Sequence, residues 1–354
     1  MKHALSHTLL VLCSVLLVTE KAQAFSLDSV FNKEKHAIKL DLRIDFDGSI
    51  NNQEKNNAAF KATTFRVVLE GDFSPKLGYL IRQRLNKSGS VSKDNFLAAT
   101  DYAMLIYRPT QRWRIEAGKQ IVQLGTFEYN YNTSTLYFFS QPNNLIQAYE
   151  TGIRAAYTVR NQEFNLQITD ARAPQFAAPG YDYAFNYAAM WAGSFFNGTF
   201  NTRYGYMLTN VDKGKTTQWI TVGNQLILGS STLEVDYMNG AYYQPASWDE
   251  NALYLANDQT AIVSYKVFLG KQQRWAFGVK GMWDKRRNKD LSRTIYNKYT
   301  ASTLLEYYPL GGDKLNVHLA YAFCRTHYNQ AITGYNPNNQ NRILAGFRWL
   351  FSII

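Results

Sequence analysis

AIKLDLRIDF, Ala37 to Phe46, is the stretch on which the fold turns. Ile38, Leu40, Leu42, Ile44 and Phe46 are apolar, and Lys39, Asp41, Arg43 and Asp45 between them are charged. Successive side chains of a β-strand point to opposite faces, so this segment has one apolar face and one fully ionic face. Two settings suit such a strand. In a soluble sheet the ionic face meets bulk water. In a closed sheet the apolar face can meet lipid while Lys39, Asp41, Arg43 and Asp45 line an aqueous interior.

The N-terminus favours export. MKHALSHTLLVLCSVLLVTEKAQA has Lys2 in a positive n-region, a short apolar core from Leu9 to Val18, and Ala22 and Ala24 as an A-x-A cleavage pattern. The core is about half the ~20 residues a membrane helix needs, so residues 1–24 read as a signal peptide cleaved after Ala24. Residues 25–354 then form a single domain with one cysteine, Cys324, and no intrachain disulfide. The chain carries 38 Lys+Arg against 27 Asp+Glu, net +11, and losing Lys2, Lys21 and Glu20 leaves +10. An exported chain rarely meets nucleic acid, so this charge points to anionic solutes or to lipid phosphates at a membrane surface. Aromatic residues are 15% of the chain. No apolar run after residue 24 is long enough for a spanning helix, so a membrane crossing would require a closed barrel.

Alternation like that of 37–46 recurs to the C-terminus and gives sixteen strands. Examples are Phe65, Val67 and Leu69 around Arg66, and Trp113, Ile115 and Ala117 around Arg114 and Glu116. Ile343, Ala345, Phe347 and Trp349 around Arg348 follow the same pattern. Tyr102, Met104 and Ile106 are assigned to the apolar face opposite Asp101, and the parity of 217–228 stays open. Short connectors (73–76, 108–111, 160–162, 197–198, 229–231, 270–273, 309–314) alternate with long ones. The long ones are 47–59, 86–95, 125–148, 170–186, 209–216, 239–258, 285–292 and 325–341. Even strand number, short turns on one side and long loops on the other define an antiparallel outer-membrane β-barrel of a Gram-negative bacterium, with both chain ends at the periplasmic side. Tyr79, Tyr102, Trp113, Trp275, Trp283, Tyr307 and Trp349 fall near strand ends, as interfacial girdles require.

Signs of catalysis are poor. Only His36, His318 and His327 survive processing, and no G-x-S-x-G, H-E-x-x-H or paired-cysteine motif is present. No metal spacing or cofactor loop stands out, so an enzyme, a metal and a cofactor are not expected. The charged interior carries the functional signal. Fourteen inward cations face nine inward acids. An arc of Arg66, Arg82, Arg84, Arg112, Arg114 and Arg154 concentrates the excess, which favours anion flow in a narrow aqueous passage. Asp41 and Asp45 are expected to pair with Arg66 and Arg348, and the arc lies where arginines lose their acidic partners. The plainer reading of any one arginine is structural pairing or solvation.

RIEAGKQIVQLGTFEYNYNTSTLYFFS, Arg114 to Ser140, resembles the strand-plus-loop signature of the phosphate-selective porin O and P family. Gly118, Lys119, Gly125 and Glu128 follow its glycine, lysine-or-glutamine and acidic positions loosely. TTFRVVLEGDFSPKLGYLIR and ETGIRAAYTV are also similar, so the likeness spans about half the chain. The resemblance implies a homotrimeric sixteen-stranded porin, inserted into lipid by the outer-membrane assembly machinery, whose basic residues guide phosphate-like anions. In such barrels the third long loop folds inward. Here that loop, 125–148, offers Glu128, Tyr129, Tyr131 and Tyr137 as constriction candidates. It departs from the family in having no lysine or arginine over 126–148, so basic guidance must come from the wall. The chain also ends FRWLFSII rather than on a terminal Phe. Aromatic and amide side chains in the loop leave a saccharide or general solute channel as the alternative, or a surface barrel acting as adhesin or scaffold. The plainer reading is an aromatic loop packed on itself.

Overall fold

The computed structural model describes residues 35–53, 55–91, 95–146, 148–171, 181–246 and 249–353. The expected leader, 1–24, lies outside them. Sixteen antiparallel strands follow one another in chain order and close into a barrel. They are β1 His36–Asn51, β2 Asn57–Ser74, β3 Leu77–Arg84, β4 Thr100–Tyr107, β5 Trp113–Ile121, β6 Tyr149–Val159, β7 Gln162–Asp170 and β8 Phe185–Phe195. There follow β9 Phe200–Asp212, β10 Lys215–Leu228, β11 Ser231–Ala246, β12 Asp249–Leu269, β13 Trp275–Asn288, β14 Arg293–Tyr307, β15 Leu315–Tyr328 and β16 Asn338–Ser352.

Closure runs through the opening stretch. Leu42 pairs with Trp349 and Ile44 with Phe347 across β1 and β16, so neither edge is left with unpaired backbone groups. Only a helix or a closed sheet meets that requirement in lipid. The outer face is apolar all round: Leu105, Ile153, Leu166, Val263, Val317 and Ile343 are exposed. A soluble surface would not carry apolar area on this scale.

Three expectations need correction. Connectors 209–216 and 285–292 are not long loops, because β9 and β10 cover most of the first and β13 runs through half of the second; β11 and β12 likewise extend into 239–258. The polar residues there belong to strand ends that stand above the membrane, where no apolar alternation is required. Second, Tyr102 and Met104 of β4 face the interior, and Leu105 and Tyr107 face out. A register shift between Arg82 and Gln83 lets Asp101 face inward as well. Third, Asp41, Arg43 and Asp45 do not line water; they are buried. The parity of 217–228 resolves with Thr217, Trp219, Thr221 and Gly223 inward.

The wall is uneven. β3, β4, β5 and β7 have eight or nine residues, whereas β11 has 16 and β12 has 21. The core lies inside the barrel, where the loop after β5 fills part of the lumen. Val122, Leu124, Tyr129 and Ile146 pack on Ala188, Met207, Trp219, Met238 and Tyr242 of β8 to β11. Further along, Tyr137 and Phe138 pack on Ile262, Met282, Ala320 and Leu344. Burying a side chain such as Leu124 contributes about 1.5–3 kcal/mol, so apolar contact alone gives the loop a fixed seat.

Candidate pore and constriction

The loop after β5 enters along β9. Gly125 sits at φ +65°, and a Cβ there would lie 2.7 Å from the Gly205 nitrogen. Glycine is the residue that accepts both this dihedral and this approach. One helical turn follows, α1 (Phe127–Asn130), capped by the Thr126 side chain. Asp236 of β11 accepts from the Phe127 and Glu128 backbone N–H groups at 3.1 and 2.8 Å, matching a carboxylate to the donors at the start of the turn.

The chain then crosses the lumen. Tyr131 donates to Glu234 on β11. On the far wall Asn132 bonds Arg66 and Asp41, and Ser134 Oγ donates to Asp41 at 2.9 Å. Arg43 donates to the Leu136 carbonyl at 2.6 Å. The return runs along the opposite side, where Tyr137 donates to Glu306 at 2.7 Å. Burial first, and then the Glu306 charge, push the Tyr137 pKa well above the ordinary tyrosine value, so its hydroxyl remains a donor. Lys280 reaches Glu128 and the Phe138 carbonyl, and Gln141, the first residue of α2 (Gln141–Leu145), donates its N–H to Asp284 at 3.1 Å.

Loop 125–148 therefore divides the interior. On one side lies a cavity of about 510 Å³ against β1 to β9, bordered by Asn130 and Asn132 of the loop. On the other lies one of about 320 Å³ against β10 to β15, bordered by Glu128, Tyr131, Tyr137 and Phe138.

The four loop candidates all face the interior, and most are occupied in holding the loop. Glu128 is buried between Lys280 and Ser140. Tyr129 is in the core, and Tyr131 and Tyr137 border the smaller cavity with their hydroxyls bonded to acids. The alternating charges of β1 are the docking site of the loop. Arg66 and Arg348 both pair with Asp41, at 2.8 and 3.2 Å, rather than with one aspartate each. Asp45 instead takes Arg43 at 2.9 Å and His318 at 2.6 Å.

The arginine arc is reordered. Arg82, Arg84 and Arg66 converge on Asp101, at 3.1, 2.9 and 3.9 Å. Arg114 pairs with Glu116 at 2.8 Å and Glu163 at 3.1 Å, and Arg154 also pairs with Glu116. The expectation that the arc lacks acidic partners is thus wrong, because neighbouring strands supply them in register. Arg112 is not in the wall at all. It precedes β5 in an exposed turn, where its N–H bonds Thr110.

A lumen cation outside these pairings is Arg203 on β9. Among the described residues no carboxylate lies within ion-pairing distance of it; its Nη2 meets only the Met190 sulfur, at 3.3 Å. Its Nε is buried and unbonded, as is the Nε of Arg154. Arg203 lines both the larger cavity and a further one of about 460 Å³ that opens toward the turn after β6. Alternation in the sequence places Arg203 inward, but only the register shows that its cross-strand neighbours are Ala192 and Gly223, neither of which can neutralise it.

A closed sixteen-strand barrel with an apolar exterior, a charged interior and one loop folded inward is an outer-membrane channel. The chain belongs to the phosphate-selective porin O and P family, whose model matches residues 37–351. It is a porin of the Gram-negative outer membrane, forming a water-filled passage for small solutes. No curated protein sequence matches it. Solved structures share its fold at low identity. The channel DcaP of Acinetobacter baumannii superposes with a TM-score of 0.66 at 11% identity, covering 89% of this chain and 97% of that one. An anion-selective porin from Comamonas acidovorans gives 0.60 at 12%, covering 90% and 100%. The trimer form of OmpT from Vibrio cholerae gives 0.60 at 12%, covering 89% and 100%.

Proposed function

We propose that this porin passes small phosphate-like anions in preference to cations, by passive diffusion with no catalytic step, along the β1 to β9 side of the lumen. The observation that carries this reading is Arg203, a cation at the junction of two cavities with an unbonded Nε and no carboxylate within ion-pairing distance among the described residues, Glu163 acting on it only from further off. Arg114 and Arg154 flank the same cavity. Arg82 and Arg84 contribute at its extracellular rim, while Arg66 serves the loop. A fixed cation in a narrow, partly desolvated passage raises the local anion concentration. The Comamonas structure, described as anion-selective, supports the same direction.

The test is the reversal potential across a planar bilayer in a salt gradient, first with chloride and then with phosphate. An anion-selective sign in both is expected, and a cation-selective sign would overturn the reading. We further infer that the leader is removed after Ala24, which N-terminal sequencing of the membrane form checks, and that the barrel assembles as a homotrimer. The short strands β3 to β7 form a low wall with exposed Leu105, Ile115, Ile153 and Leu166, and the trimer form of the Vibrio structure supports this association. Cross-linking in the native membrane should give a threefold species.

A further inference from the structure

The positive charge of the chain is not spent only on the lumen. Along β13 the outward positions run Trp275, Phe277, Val279, Gly281 and Trp283, and then change to Lys285 and Arg287. Along β15 they run Val317, Leu319, Tyr321 and Phe323, and then change to Arg325 and His327. Both changes occur at the extracellular end and within one row of each other. Trp283 is paired with Tyr299 of β14, and Tyr299 with Arg325. Trp283 and Tyr299 thus mark the headgroup boundary, with Arg325 at that level and Lys285 one row above it. Between them stands Asn297, paired with both Lys285 and His327.

These cations are unspent. Among the described residues no carboxylate lies within ion-pairing distance of Lys285, Arg287 or Arg325. The acids close in sequence point the other way: Asp284 accepts from Thr260 and Asp258 from Arg286, both inside the barrel. The feature is also local. The outward positions of β6 to β9 carry aromatic, apolar and neutral polar residues and, at their extracellular ends, Asp170 and Asp212, but no lysine or arginine.

We propose that the extracellular ends of β13 to β15 form a docking site for the phosphate groups of an outer-leaflet lipid. The aromatic row sets the depth, Lys285, Arg287 and Arg325 neutralise the phosphates, and Asn297 bonds the headgroup oxygens. Arginine suits this role because its planar fork meets a phosphate with two parallel hydrogen bonds, and each basic group near a charged lipid surface adds to the attraction. Arg287 donates to the Ser292 carbonyl at 3.4 Å, and the fixed anions within reach of this outward face are the phosphates of the leaflet.

The test titrates the full-length barrel in detergent with purified lipopolysaccharide, and with the same lipid after enzymatic dephosphorylation, read by native mass spectrometry. Wild type should prefer the phosphorylated lipid by about tenfold or more, and the preference should weaken with salt. The triple variant Lys285→Gln, Arg287→Gln, Arg325→Gln should lose that preference while keeping its conductance and heat-modifiable migration. Equal binding of the dephosphorylated lipid to wild type, or wild-type preference in a folded triple variant, would overturn the proposal. If the triple variant does not fold, Arg325→Gln alone should lower the preference severalfold, and no change would count against the site. Inorganic phosphate should not displace the lipid; displacement would make this a free-anion site and refute lipid docking.

Discussion

The two compartments beside the loop are built from similar residues and differ in what those residues leave available. The cavity against β1 to β9 is lined by six basic groups (Lys39, Arg66, Arg82, Arg114, Arg154, Arg203) and four acids (Asp41, Glu70, Glu116, Glu163). The cavity against β10 to β15 has two basic groups, Lys266 and Lys280, and three acids, Glu128, Glu234 and Asp236. On the second side every one of these charges is engaged. Lys266 meets Glu306, Lys280 meets Glu128, Glu234 takes Tyr131 and Ser264, and Asp236 caps α1. On the first side Arg203 is left over. A count of wall charges therefore does not measure selectivity; cross-strand register decides which charge remains free to meet a solute.

The separation of the two compartments depends most on Asp41. It holds Arg66, Arg348, Asn132 and Ser134 together beneath the loop. Asp41→Ala would leave the buried Arg348 without its carboxylate and Arg66 with only Asp101 at 3.9 Å, and removing a buried partner costs about 3–5 kcal/mol. The expected outcome is a loop released from β1, a larger and noisier unitary conductance, and a lower temperature of heat-modifiable unfolding. Unchanged conductance and unfolding temperature would mean that the apolar seat on β8 to β11 suffices to hold the loop.

Next in size is charge reversal at the free cation. Arg203→Glu should lower the anion-to-cation permeability ratio by about an order of magnitude, because the charge sits in a confined passage. Arg203→Lys should retain the sign of selectivity. On the other side, Glu234→Gln removes a carboxylate held by Tyr131 and Ser264 outside the proposed anion path, and the reversal potential should move little. Equal shifts in Arg203→Glu and Glu234→Gln would erase the distinction between the compartments.

The contrast also explains what could be read in the sequence. Strand number and closure follow from period-two alternation and connector spacing, which are local patterns, whereas the inward loop is implied only by the family resemblance. The inward placement of Arg82, Arg84, Arg114 and Arg154 is legible for the same reason. Their partners are not, because pairing depends on register: Glu116 faces Arg154 directly, and Asp101 reaches Arg82 and Arg84 past an irregularity in β4. Arg112 was misassigned by extending the alternation of β5 beyond its first residue, Trp113. The role of the β1 charges could not be read from the strand alone, since their partners lie more than 90 residues away in Asn132 and Ser134.

Smaller effects are expected within the arc itself. Arg82 is stacked on Tyr102, with its guanidinium carbon 4.4 Å from the ring centroid, and shares Asp101 with Arg66 and Arg84. Arg114 shares Glu116 with Arg154. Removing Arg82 and Arg114 together still leaves Asp101 with Arg84 and Arg66 and Glu116 with Arg154, so neither becomes an unpaired buried charge, and only the half-buried Glu163 loses its partner. The double variant Arg82→Ala, Arg114→Ala should therefore fold and lower the anion preference by roughly twofold, less than Arg203→Glu alone. Arg112→Ala, in its exposed turn, should leave the reversal potential unchanged in the same recording. If the double variant outweighs Arg203→Glu, paired arginines still act on passing anions, and the free cation on β9 loses its special standing.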